Sequence, residues 1–342
     1  MSTLTRAKSE SGRRPRARLA RAGRCTPPTA EARRTKLAQP GLARGGRSTP
    51  PTAEARRTTR AGLALVSPAL LFACVFTLFP LGFGIYISLT NWPLIGPYHF
   101  IGLSNYTALV HNPVFLQSIV YTLEYTAIVT IPIFVVGYAL AVLVRSNRPG
   151  ATVFRTLIFI PYIVGLVTES YMAVVELQPG SGTANFALSK LGIVSNATAW
   201  LVHTGLATVA ICVLVVWFAS GLTMMLLMAG MQAIPIELYE SARADGATWW
   251  KLERHITMPL LRRSIALSLI VSVVGSFLAF NQFFILTDGG PGTSTESVVM
   301  SIYSTAFAQM NVGLASAMSV VLVVVVGLIT FVQFRYLQGD GA

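Results

Sequence analysis

The sequence has little charge. Only 11% of its 342 residues are Asp, Glu, Lys or Arg, against roughly 25% in an average soluble domain. That excludes a soluble enzyme with one core and a hydrated surface. Cysteine is scarce too. Cys25, Cys74 and Cys212 form no CxxC pair, so neither a disulfide scaffold nor a metal site follows from them. The histidines, His99, His111, His203 and His255, are scattered. No GxxxxGK[ST] phosphate loop, Ser-His-Asp arrangement or HExxH pair occurs. The chain is therefore not expected to bind ATP by the P-loop route, to be an enzyme, or to hold a cofactor or metal. Any active transport it serves needs energy from an ion gradient or another subunit.

The charge that is present is unevenly spread. Residues 1–60 carry 16 Lys/Arg and 3 Asp/Glu, which is the whole net charge of +13. The remainder carries 10 of each sign. A basic, polar tail thus precedes a neutral, very apolar body. The high isoelectric point is no sign of a nucleic-acid-binding fold, because the body adds nothing to it. Large apolar residues are almost absent from 1–60, and the segment contains a repeat. Gly23 to Thr35 reads GRCTPPTAEARRT, and Gly46 to Thr58 reads GRSTPPTAEARRT. The tail is expected to be disordered and cytoplasmic. Two readings stay open: an arm touching anionic lipid or nucleic acid, and a dispensable extension, which is the simpler. It does not read as a signal peptide, since both its charged part and the apolar segment after it are too long.

Residues 61–342 read as an all-α polytopic membrane domain. Six apolar stretches, near 64–90, 117–144, 154–177, 203–229, 264–286 and 311–333, are long enough for a hydrocarbon core of about 30 Å. Basic residues mark alternate loops. Arg56, Arg57 and Arg60 precede the first stretch, Arg145 and Arg148 follow the second, and Arg155 sits at the start of the third. Arg243, Lys251, Arg254, Arg262 and Arg263 lie between the fourth and fifth, and Arg335 follows the sixth. The other loops hold one basic residue, Lys190. This asymmetry predicts both termini in the cytoplasm. Glu124 and Glu169 fall within spans. Each is read equally as lining of an aqueous path or as an interhelical or interfacial hydrogen-bonding group.

The substantial cytoplasmic loop, 231–260, is expected to form a compact knob. Pro235 is well placed to start a short helix, since its missing N–H is not needed at the first helical position. Glu237 and Glu240 suit its N-terminal turns. Leu238, Ala242 and Asp245 point to different faces, and Gly246 can end the helix and turn the chain. A second short amphipathic piece near Trp249 to His255 leads to Pro259.

This loop resembles the EAA loop of permease subunits in binding-protein-dependent ABC importers. That pattern is Glu-Ala-Ala, three residues, Gly, nine residues, Ile, one residue, Leu-Pro. Glu240, Ser241, Ala242, Gly246, Ile256, Met258 and Pro259 stand at its spacing, with Ser and Met as mild departures. Phe76–Trp92, Phe100–Tyr106, Phe154–Pro161, Phe280–Gly292 and Thr295–Tyr303 resemble the carbohydrate-uptake branch, the maltose and glycerol-phosphate types, in order. The resemblance covers about 64–336.

It implies a bacterial plasma-membrane permease without a hydrolytic centre. A cytoplasmic ATPase dimer, a second six-span permease and an extracytoplasmic solute-binding protein would be its partners, and a sugar or polyol its solute. The 236–247 helix would be the coupling helix, with Glu237, Glu240, Ala242, Asp245, Gly246 and Pro259 at the ATPase junction. Ungapped alignment from Glu240 implies Val215, Phe218, Ala219, Leu222, Ser272, Gly275 and Ser276 along the solute path. Val215 and Leu222 replace a polar amide or phenol of the maltose-type site. Trp217, Asn281 and Gln282 are alternatives, since a ring can stack on a sugar face and amides can satisfy hydroxyls. Two other classes compete: an ion-coupled secondary carrier, which would need paired inverted repeats not visible in the body, and a membrane scaffold.

Overall fold

Long apolar runs leave the backbone one way to satisfy its polar groups in lipid, which is hydrogen bonding within helices. A computed structural model describes residues 65–145 and 150–338, and they are helical, with only isolated β-bridges among them. All lie in the unit Ala64–Ala342. The expectations for the 1–60 tail fall outside the described residues.

In chain order the helices are α1 (Leu65–Ser88), α2 (Ser104–Val110), α3 (Pro113–Val144), α4 (Ala151–Val164), α5 (Leu166–Glu176) and α6 (Thr183–Lys190). They continue with α7 (Thr204–Gln232), α8 (Ile236–Ala244), α9 (Trp249–Leu260), α10 (Arg262–Phe277), α11 (Asn281–Leu286), α12 (Val298–Ala308) and α13 (Val312–Gln338). Among the described residues, α1, α3, α7 and α13 are each long and apolar enough to cross a membrane unaided. The count reaches six only if two bent pairs each serve as one span.

Those bends correct the sequence boundaries. The third stretch is not continuous: α4 and α5 meet at 92°. Gly165 makes the corner at φ +92°, a conformation costly for any residue with a Cβ. A bend of 70° where α9 meets α10 stands just before the fifth stretch. The stretch itself is interrupted after Phe277, so that Asn281–Leu286 is a separate helix. Apolar composition alone does not register such breaks, because the residues on either side are equally apolar.

α3 and α7 form the centre. Asn112 starts α3 by accepting from the amides of Val114 and Phe115, with Pro113 at the first helical position, where its missing N–H costs nothing. Tyr125, Val129 and Ile133 of α3 pack with Ile211, Leu214 and Val215 of α7 and Phe283 of α11. Near the end carrying Arg145, Ala141 and Val144 pack with Met224, Leu227, Met228 and Leu261.

Asn105 of α2 ties down the opposite end of α1. Its Nδ2 donates to the carbonyls of Ser88 and Thr90, each at 2.8 Å, and both residues are fully buried. Asn105→Ala leaves these carbonyls without that donor. The expected cost is about 1–3 kcal/mol, read as a lower thermal unfolding midpoint of the detergent-solubilised chain. An unchanged midpoint would mean that the clamp is dispensable.

Candidate functional site

The interruption between α10 and α11 lines a cavity of about 340 Å³. Non-helical backbone at membrane depth is tolerated where it is buried in protein or lines a cavity. The cavity wall combines α3 and α4, the start of α5, α7, α10 and α11. Phe218, Ala219 and Leu222 of α7 reach it, as do Ser272, Gly275 and Ser276 of α10 and Asn281 and Gln282 of α11. Val215 lines it as well. The sequence-selected path residues therefore share one cavity, although they lie on three helices. Trp217 does not line it and is 56% exposed, on another face of α7.

Two features of the wall escape a reading along the chain. Tyr125 and Tyr162 join it from α3 and α4, and the Tyr162 ring lies 5.0 Å from that of Phe218. Gln282 is 2% exposed and donates from Nε2 to the Tyr125 hydroxyl at 3.2 Å. Its Oε1 is buried without a hydrogen-bond partner. An amide acceptor left open beside a cavity is costly unless a ligand or water meets it. The signal available beforehand was a phenol or amide inside an apolar stretch, but not which ones meet.

Neither span carboxylate lines this cavity. Glu169 is 2% exposed, with no hydrogen-bond partner for either oxygen. Its reading as an interhelical hydrogen-bonding group is thus not met among the described residues. Glu124 is exposed on α3.

At the end carrying Arg145, α8 stands out as a short exposed helix. Pro235 is its N-cap rather than its first helical position, and Ile236 begins the helix, as in the expected range 236–247. The helix ends at Ala244 rather than 247. Gly246 reverses the chain at φ +77°. The Gly246 amide donates to the Arg243 carbonyl at 3.0 Å, and that of Ala247 to the Ala242 carbonyl at 2.9 Å. This pair of bonds is a Schellman cap, which uses glycine at its reversal point. Glu237, Glu240, Asp245 and Gly246 are exposed on this knob and Ala242 is half-buried. Pro259 is exposed but lies apart, in α9. The short second piece expected near Trp249 to His255 is instead the first part of α9, which runs on to Leu260.

Residues 101–339 match the family described as the binding-protein-dependent transport system inner membrane component. The chain belongs to this family.

The permease is 33% identical over 280 residues to a probable ABC transporter permease protein of Pyrococcus horikoshii, covering 82% of this chain and 96% of that one. It is 30% identical over 280 residues to the trehalose transport system permease protein SugA of Mycobacterium tuberculosis, covering 81% and 88%. Its fold is similar to that of a chain in a bacterial alginate ABC transporter, with a TM-score of 0.73, 21% identity, and coverage of 84% and 99%. The chain is thus an ABC importer permease of the carbohydrate-uptake branch, a multi-pass membrane protein. The secondary-carrier and scaffold readings fall away.

Proposed function

We propose that this permease passes a neutral sugar or polyol through the cavity between α7, α10 and α11, with α8 as its coupling helix. ATP is hydrolysed by a separate ATPase dimer seated against α8 on the cytoplasmic side. A second six-span permease completes the path, and an extracytoplasmic binding protein delivers the solute. Both termini lie in the cytoplasm.

The lining carries the solute assignment. It includes no Asp, Glu, Lys or Arg, but it does include serines, two amides, two tyrosines and phenylalanines. Hydroxyl groups match the amides and phenols, and a pyranose face matches the Tyr162–Phe218 ring pair. An uncharged lining offers no counter-ion to an anionic solute.

The test is uptake of radiolabelled neutral oligosaccharides by the assembled importer carrying Gln282→Leu. Losing the open amide acceptor should lower the uptake efficiency roughly tenfold, the equivalent of one hydrogen bond of about 1.4 kcal/mol. ATPase binding should stay intact. Unchanged uptake of every transported solute would remove Gln282 from the path.

A further inference from the structure

α3, α8 and α9 are linked around one buried carboxylate. Glu253 is 3% exposed and opens a π-helical turn, Glu253–Thr257, within α9. Arg145, just past the end of α3, places Nη1 2.9 Å from Glu253 Oε1. Tyr138, two turns earlier on α3, donates its hydroxyl to Oε2 at 2.8 Å. Oε1 has no aligned hydrogen bond, so the Arg145 contact is an attraction of charges. The same guanidinium lies 5.6 Å from the centre of the Tyr239 ring on α8, within cation–π range. The Tyr239 hydroxyl is 3.1 Å from that of Thr257, which is fully buried in α9. Arg155 of α4 adds a brace, donating from Nε to the Val144 carbonyl at 2.9 Å. Side chains, and not only the covalent loop, therefore fasten α8 to both α3 and α9.

An ion pair whose carboxylate is buried and whose guanidinium is half-buried is a poor source of stability. Removing a carboxylate from water offsets most of what the guanidinium returns, and packed apolar residues would serve as well. What this pair supplies is a fixed relative position for three elements. Two of them lead to the cavity. α3 carries Tyr125, 13 residues or about 20 Å along the helix from Tyr138 at 1.5 Å per residue. α10, which follows α9 beyond the bend, carries Ser272, Gly275 and Ser276.

We propose that Arg145, Glu253, Tyr138 and Tyr239 form a rigid joint, which makes α8, the end of α3 and α9 move as one body, so that a push on α8 reaches the cavity wall. The joint rests on the reading of α8 as the coupling helix. Its members are positioning residues and touch no solute.

The test uses the complete importer in proteoliposomes, with Glu253→Gln and, separately, Tyr239→Leu. Glu253→Gln keeps an acceptor for Tyr138 and removes the charge attraction without leaving a buried carboxylate. Three quantities are read: ATPase co-purification, stimulation of hydrolysis by the solute-loaded binding protein, and uptake. In both variants the ATPase should stay bound and basal hydrolysis persist. Stimulation and uptake should fall about tenfold or more, the size of a typical coupling between sites. Glu240→Lys serves as the control for the underlying reading. If it leaves uptake normal, α8 is not the coupling helix and the joint falls with it. If Glu240→Lys abolishes uptake while Glu253→Gln and Tyr239→Leu transport normally, only the joint is wrong. Loss of ATPase binding in both joint variants would likewise overturn it, showing a docking or folding role instead.

Discussion

Gly246→Pro should abolish uptake while the chain still inserts in the membrane. Gly246 holds φ at +77°, whereas proline is locked near −65°. The substitution also deletes the amide that donates to the Arg243 carbonyl at 3.0 Å, and it redirects the Ala247 amide from Ala242. Crowding is not the cause, because a Cβ at this position would meet no heavy atom within 4 Å. The sign of one backbone dihedral therefore decides the result. Gly246→Ala should give an intermediate loss, since the left-handed conformation costs an L-residue about 1–2 kcal/mol. Glu240→Lys should match the proline variant in uptake for a different reason. It leaves the exposed helix folded and reverses the charge offered to a partner. Uptake of labelled solute, with immunodetection of the chain in membranes, separates lost function from lost insertion. Normal transport in either Gly246→Pro or Glu240→Lys would remove α8 from the coupling path.

Gly137→Leu should severely damage the bundle itself. A Cβ on Gly137 would stand 2.6 Å from Thr223 Cγ2, 2.7 Å from Thr223 Cβ and 3.3 Å from the Ser220 carbonyl oxygen. On another side of α7, a Cβ on Gly221 would stand 2.7 Å from the Ile158 carbonyl oxygen. α7 is thus held close to α3 and α4 at two glycines. Packing at small residues is what drives helix association in lipid, where no hydrophobic gain separates helix from solvent. Overpacking costs about 1–3 kcal/mol where neighbours can shift, and the Ser220 backbone beside Gly137 cannot give readily. The expected results are a sharply lower unfolding midpoint in detergent and no uptake, because Thr223 also lines the cavity. Gly137→Ala should be milder, and Thr223→Gly should recover part of its loss. A double-mutant cycle on the two positions measures this coupling. Additive losses would show that the close approach is not what the glycine provides.

Some of the site was legible because its signals are local. The reversal at Gly246 needs only a glycine after an amphipathic turn, and the structure has it there. Phe218, Leu222, Ser272 and Ser276 share a cavity, in keeping with a register carried outward from Glu240 along helices. The corner at Gly165 was less legible. A glycine in an apolar stretch is compatible with a straight span, a kink or a right-angled break. Composition cannot choose among them, whereas packing of α5 against its neighbours can. Trp217 shows the opposite error. Its chemistry suits a sugar, but its place on α7 turns it to another face.

The sequence by itself determined that this chain is an apolar, helical membrane body with alternating basic loops and one short polar knob. Those properties depend on the cost of placing charge and unpaired backbone in lipid, which each segment meets on its own. Only the tertiary structure decided which polar side chains meet. Tyr125 and Gln282 are 157 residues apart in the chain, and Tyr138 and Glu253 are 115 apart. Their pairing has no local signature, because it arises when the close approach at Gly137 and the break after Phe277 bring separate helices together.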